Sequence, residues 1–129
     1  MPNEAEIRRT VERYAAAWKS GDMAAIVACY HDDFTLHYFG RNALSGDHIG
    51  KAASLKTLAE FSKRTKRRLV SIVSTLAGPE HGAVIAREAI GPNAVEIERV
   101  LVYAVKDGFL HECWVYDADQ RPIDELVGS

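Results

Sequence analysis

The period of the apolar residues changes near the middle of the chain, and that change dictates its architecture. Up to about residue 64 apolar side chains recur at helical spacing. From Arg68 onward they alternate in twos, interrupted by the turn signals Gly78-Pro79, Gly91-Pro92-Asn93 and Asp107-Gly108. A helical half followed by a stranded half predicts an α+β fold in which amphipathic helices cover a curved, mostly antiparallel sheet.

In the first half, Asn3 followed by Glu6 forms a variant of the capping box, and Ile7, Val11, Tyr14 and Trp18 repeat along one face. Ser20-Gly21 stops that helix, and Asp22 caps a second, short one carrying Ile26, Val27 and Tyr30. The β-rich run Phe34–Phe39 predicts a short strand, and Gly40 to Gly50 reads as a loop. A third helix, starting at Asp47 or Gly50 and ending at Arg64, buries Ile49, Leu55, Leu58 and Phe61 and places Lys63 and Arg64 where the helix dipole favours cations.

Four strands follow, Arg68–Leu76, Ala83–Ile90, Ala94–Lys106 and Phe109–Tyr116, expected as consecutive hairpins. The last two are apolar on both faces near their middles, so helices would cover one face and a second subunit the other, which predicts a homodimer through the outer sheet face. The tail Asp117–Ser129 suits a short helix or an irregular arm.

The turn Lys106-Asp107-Gly108 admits a two-residue loop or a three-residue loop with Gly108 in the left-handed position. The three-residue form is favoured because a type I turn accepts Lys-Asp and leaves one strained position, for Gly. It puts Arg99, Leu101 and Tyr103 on one face with His111, Cys113, Val115 and Asp117, and sets Arg99 diagonally across from Asp117. The two-residue form pairs Arg99 and Leu101 with Trp114 and Tyr116 instead.

A length of 129 residues predicts one domain with one core. Sixteen Lys+Arg against eighteen Asp+Glu give a net charge of −2, so no global field favours nucleic acid, and the basic run Lys63–Arg68 spans a helix end and a strand start. The two cysteines, Cys29 and Cys113, lie far apart in no metal spacing, and no two histidines share a ligand spacing, so no metal is expected. With an acidic start and no long apolar run, neither a leader nor a membrane span is expected, and the protein reads as cytoplasmic.

Arg13-Tyr14 through Trp18, Gly21-Asp22, Ile26-Val27, Asp32-Asp33, the glycine-rich Gly40 to Gly50 and Asp107-Gly108 through Glu112-Cys113-Trp114 resemble the SnoaL-like group. That group belongs to the nuclear-transport-factor-two-like superfamily with ketosteroid isomerase, polyketide cyclases and limonene epoxide hydrolase. The resemblance implies a cone of three N-terminal helices on a curved sheet, a small hydrophobic ligand and no cofactor. It is specific for the fold and not for the reaction.

Carried over residue by residue, the oxyanion-donating tyrosine of ketosteroid isomerase matches Tyr14. The place of its general base holds Tyr38, with His37 beside it, and that of its second oxyanion-hole acid falls near Leu101. The acid/base aspartate of SnoaL-like cyclases falls at Val115, with Asp117 two residues later. Arg99 and Asp117 supply half of the carboxylate–arginine–carboxylate arrangement of limonene epoxide hydrolase.

The resemblance therefore implies a cyclase- or isomerase-like enzyme acting on a flat hydrophobic carbonyl compound. Tyr14 would stabilise oxyanion charge, His37 or Asp117 would move the proton, and Arg99 would hold Asp117. Trp18, Tyr38, Phe39, Leu101, Tyr103, Cys113 and Val115 would line the pocket. The same residues also suit a ligand-binding domain without turnover, or a homodimeric interaction module with a filled cone.

Overall fold

The computed structural model describes residues 2–129. The first helix, α1 (Glu4–Ser20), starts where the Asn3 side chain accepts the Glu6 amide and stops at Gly21, whose φ of 71° no other residue adopts as cheaply. It buries Ile7, Val11 and Tyr14. Asp22 caps α2 (Met23–Ala28), and α3 (Lys51–Thr65) ends at Lys66 in the left-handed conformation. The tail forms a fourth helix, α4 (Gln120–Val127), capped by Asp119, which seats Ile123 and Val127 in the core.

The strands are β1 (Tyr30–Tyr38), β2 (Gly46–Ile49), β3 (Arg68–Ala77), β4 (Gly82–Ile90), β5 (Val95–Lys106) and β6 (Phe109–Asp117). They form one sheet in the order β2-β1-β6-β5-β4-β3. The expected hairpins β3 to β6 are all present, and β1 joins them by lying parallel to β6. Register shifts in β1–β6, β3–β4 and β5–β6 bend the sheet around the helices, because each extra residue twists its strand locally.

Three expectations for the first half are corrected. Tyr30, expected on the second helix, instead opens the first strand, which begins there rather than at Phe34; the expected loop Gly40–Gly50 contains β2, an exposed four-residue edge strand paired with β1; and α3 starts at Lys51, so Ile49, expected on its buried face, lies on β2 and is 78 % exposed. With no buried alternate residue, β2 leaves no hydrophobic period to read.

The β5–β6 turn corrects the expected loop but preserves its consequence. Asp107 (φ 55°) and Gly108 (φ 78°) are both left-handed, forming the two-residue turn whose twist matches the strands, and Lys106 pairs with Phe109. A bulge follows at once. Val105 faces Leu110 but Ala104 faces Glu112, so His111 is the extra residue and every later side chain changes face. Arg99, Leu101 and Tyr103 therefore share the helix-covered face with Cys113, Val115 and Asp117, and Arg99 lies directly opposite Asp117 rather than diagonal to it.

Candidate functional site

The helix-covered face of the sheet carries two polar groups joined by an apolar middle. At one end Tyr14, from α1, packs against Trp18, Tyr30 and Tyr103 with ring centroids 5.9, 5.7 and 5.4 Å away. The Tyr30 hydroxyl donates to the Tyr14 oxygen at 3.2 Å. Burial raises the pKa of all three tyrosines, so these hydroxyls are neutral donors. Nearby Cys113 has its thiol pushed up to about 12 by burial, which keeps it an inert core thiol.

Four residues along β5, about 13 Å at strand rise, lies the second group. Arg99 is only 1 % exposed. Its Nε donates to Asp117 Oδ1 at 2.5 Å, its Nη2 to Oδ2 at 3.5 Å, and its Nη1 lies 3.6 Å from Glu88 Oε1. Arg67 Nη1 also lies 3.6 Å from Glu88 Oε1. Burial alone would lower the Arg99 pKa, but the Asp117 and Glu88 charges more than offset this, and the guanidinium stays charged.

The Phe61 ring, from α3, fills the space beside this cluster. The Arg99 and Arg67 guanidiniums stand 4.5 and 5.1 Å from its centroid, and the Tyr38 ring 5.5 Å. Tyr38 is buried, and desolvation pushes its hydroxyl well above the ordinary tyrosine pKa. Between the two polar groups, Leu101 and Val115 face each other across β5 and β6.

The predicted site residues are thus divided. Tyr14, Arg99, Asp117, Tyr38, Leu101, Tyr103, Cys113 and Val115 share the interior, with Trp18 half-buried against Tyr14. His37 does not join them, because neighbours on a strand point to opposite faces and Tyr38 points inward. Instead His37 Nδ1 meets Asp47 Oδ1 and Nε2 meets Glu112 Oε2, both at 2.7 Å, while its ring stacks on Trp114 on the outer face. Partial burial would lower its pKa, yet the Glu112 and Asp47 hydrogen bonds raise it overall. Phe39 lies beyond the end of β1, 43 % exposed against Tyr116, and does not line the interior.

The structure adds Glu88, Arg67 and Phe61. Glu88 supplies the second carboxylate on Arg99 that the sequence left unfilled. It was detectable in principle, since Val84, Ala86 and Glu88 alternate on the buried face and a carboxylate there needs a partner. The run Lys63–Arg68 is not one patch, since Arg67 turns toward Glu88 and Arg64 binds Glu60 and the Val127 carbonyl.

Two cavities lie elsewhere. One of about 630 Å³ is framed by α1, α2 and Phe109, with Arg13, Ala17, Ala25 and Cys29 in its wall; the other, of about 220 Å³, is lined by Tyr30, His31, Lys51 and Asp107. Among the described residues no cluster of metal-ligating side chains forms, and no helix is long and apolar enough to cross a membrane.

Helices packed on one face of a six-stranded, mixed, open and curved sheet make the nuclear-transport-factor-two-like class of fold. The sequence matches the SnoaL-like domain over residues 11–112, and the protein belongs to that family. Solved structures agree in fold. Bal32a, from a soil-derived mobile gene cassette, is 22 % identical with a TM-score of 0.82, covering 96 % of this chain and 98 % of its own. TerC, co-crystallised with polyporic acid, is 17 % identical with a TM-score of 0.76 over 96 % and 99 %. A Kribbella flavida protein assigned as a ketosteroid isomerase is 16 % identical with a TM-score of 0.72 over 90 % and 80 %. No curated protein matches the sequence.

Proposed function

We propose that this protein binds a small hydrophobic carbonyl compound in its cone interior and acts on it by cofactor-independent acid/base chemistry of the cyclase or isomerase type. The observation that carries this reading is the Asp117–Arg99–Glu88 cluster. It is a costly arrangement for a fold to keep unless it is used, since buried ion pairs seldom stabilise more than apolar replacements. Asp117 takes the proton, Arg99 positions it, and the Tyr38 hydroxyl, held neutral by burial, donates to the developing oxyanion. Tyr14, polarised by Tyr30, offers the same service at the other end. His37 has no part in this, because its ring lies on the other face.

A second reading, a homodimeric interaction module with a filled cone, is favoured by the close packing of Phe61 on the cluster. Thermal unfolding against polycyclic ketones, phenols and lactones tests both. A ligand at a hundred times its Kd adds about 2.7 kcal/mol. With a binder in hand, Asp117→Asn abolishes turnover and spares affinity if the carboxylate carries the proton; loss of binding and stability together marks it as structural. No shift with any compound removes the pocket reading.

The outer face carries Phe39, Val73, Leu76 and Tyr116 as exposed apolar groups, and we assign a homodimer to it, in a cytoplasmic setting that suits two unpaired cysteines. Sedimentation as a monomer at micromolar concentration removes that assignment.

A further inference from the structure

The second helix, α2, consists of six apolar residues, Met-Ala-Ala-Ile-Val-Ala, and none of them is buried. Met23 is 67 % exposed. Apolar surface left open in this way marks a place where something else binds. Beside it lies the cavity of about 630 Å³, a volume within the range of small-molecule sites.

This cavity is a cleft between α1 and α2, which diverge from their junction at Gly21-Asp22. Ala16 and Ala17 line it from α1, and Ala25 and Ala28 from α2. Walls of methyl groups on two helix backbones leave a narrow slot, which suits an extended alkyl chain better than fused rings. From Ser20 back to Arg13 the wall along α1 runs about 10 Å at the helical rise. The cleft is separate from the interior, because Tyr14 and Trp18 lie on the other side of α1 and pack there with Tyr30 and Tyr103.

The one charged side chain lining the cleft is Arg13. Its Nη2 donates to the Gly108 carbonyl at 2.8 Å, and its guanidinium stands 5.5 Å from the Phe109 centroid, so two contacts hold it at the mouth. That is its only hydrogen bond among the described residues and no carboxylate pairs with it, which leaves most of its fork of N–H donors open. The nearby acids Asp32 and Asp107 line the smaller cavity instead, together with His31 and Lys51. A planar fork of donors at the end of an apolar slot matches a carboxylate.

We infer that this cleft binds a monocarboxylate with a straight alkyl chain of medium length. The chain lies between α1 and α2 with its tip toward Ser20, and the carboxylate meets Arg13 at the mouth. The site is independent of the cone interior and of any chemistry there.

Two-dimensional NMR of the full chain at neutral pH, where such acids are ionised, follows titrations with butanoate, hexanoate, octanoate, octanol and octylammonium below their micelle concentrations. Affinity rises about two- to fourfold with each added CH₂, octanoate binds about fivefold or more tighter than octanol, and octylammonium does not bind. Shifts gather at Ala16, Ala17, Ser20, Ala25, Ala28 and Phe109. Arg13→Gln brings octanoate down to the level of octanol and leaves octanol unchanged, a split that a general loss of structure would not produce. Ala16→Leu, at an exposed helical position where leucine is also a good helix former, fills the cleft and removes binding of both without lowering Tm. Equal affinity for octanoate, octanol and octylammonium, or no gain with chain length, overturns the inference. So do shifts at Tyr38, Leu101 and Val115, which would put the chain in the interior, and the failure of every probe to bind.

Discussion

Replacing Arg99 with methionine removes the guanidinium that faces both Asp117 and Glu88. The side chain is 2 % exposed and those of its two carboxylate partners 1 % each, so water cannot take its place. Breaking a buried ion pair from one side costs about 3–5 kcal/mol. Unfolding entropy of about 2.1 cal/mol/K per residue gives a chain of 129 residues about 0.27 kcal/mol/K, so Tm falls by about 11–18 degrees. Arg99→Met combined with Asp117→Asn recovers part of the loss, because it removes one of the two stranded carboxylates. Calorimetric melts at neutral pH check this, and a drop of less than about 4 degrees refutes the reasoning.

His37 makes a pH-dependent contribution to stability. Its folded pKa is raised, so its bonds to Asp47 and Glu112 contribute stability that is complete below about pH 6.5 and lost as pH rises through the folded value. An NMR titration gives a midpoint above 6.5, and His37→Gln flattens the fall in Tm on the alkaline side. Tyr14→Phe deprives the Tyr30 hydroxyl of its acceptor, which costs about 1–3 kcal/mol in urea unfolding without altering the fold by circular dichroism. Gly108→Ala loses about 1–2 kcal/mol through backbone conformation alone, since a Cβ there meets nothing within 4 Å at φ 78°.

The sequence showed the fold through its periods and turns: the α1 stripe, the caps Asn3 and Asp22, and hairpins ending at glycine are local features that tertiary packing did not override. β2 escaped because an exposed edge strand has no buried alternate residues. The shared face of Arg99 and Asp117 was legible, although by a different route. The expected three-residue turn and the observed two-residue turn with a bulge at His111 produce the same facing, and only coordinates separate them. His37 was misplaced beside the interior because sequence adjacency to Tyr38 is, on a strand, separation by a sheet. The burial of Glu88 and Phe61 was legible from their periods, but their convergence on Arg99 was not: which residues meet there depends on sheet curvature and on where α3 crosses it, and neither is encoded in any short segment.

The most direct test of the account asks where a binder lands. Backbone NMR shifts on adding a polycyclic ketone that raises Tm should concentrate at Tyr38, Phe61, Glu88, Arg99, Leu101 and Val115. Shifts confined instead to Ala17, Ala25, Cys29 and Phe109, around the cavity of about 630 Å³ beside α1 and α2, would contradict it.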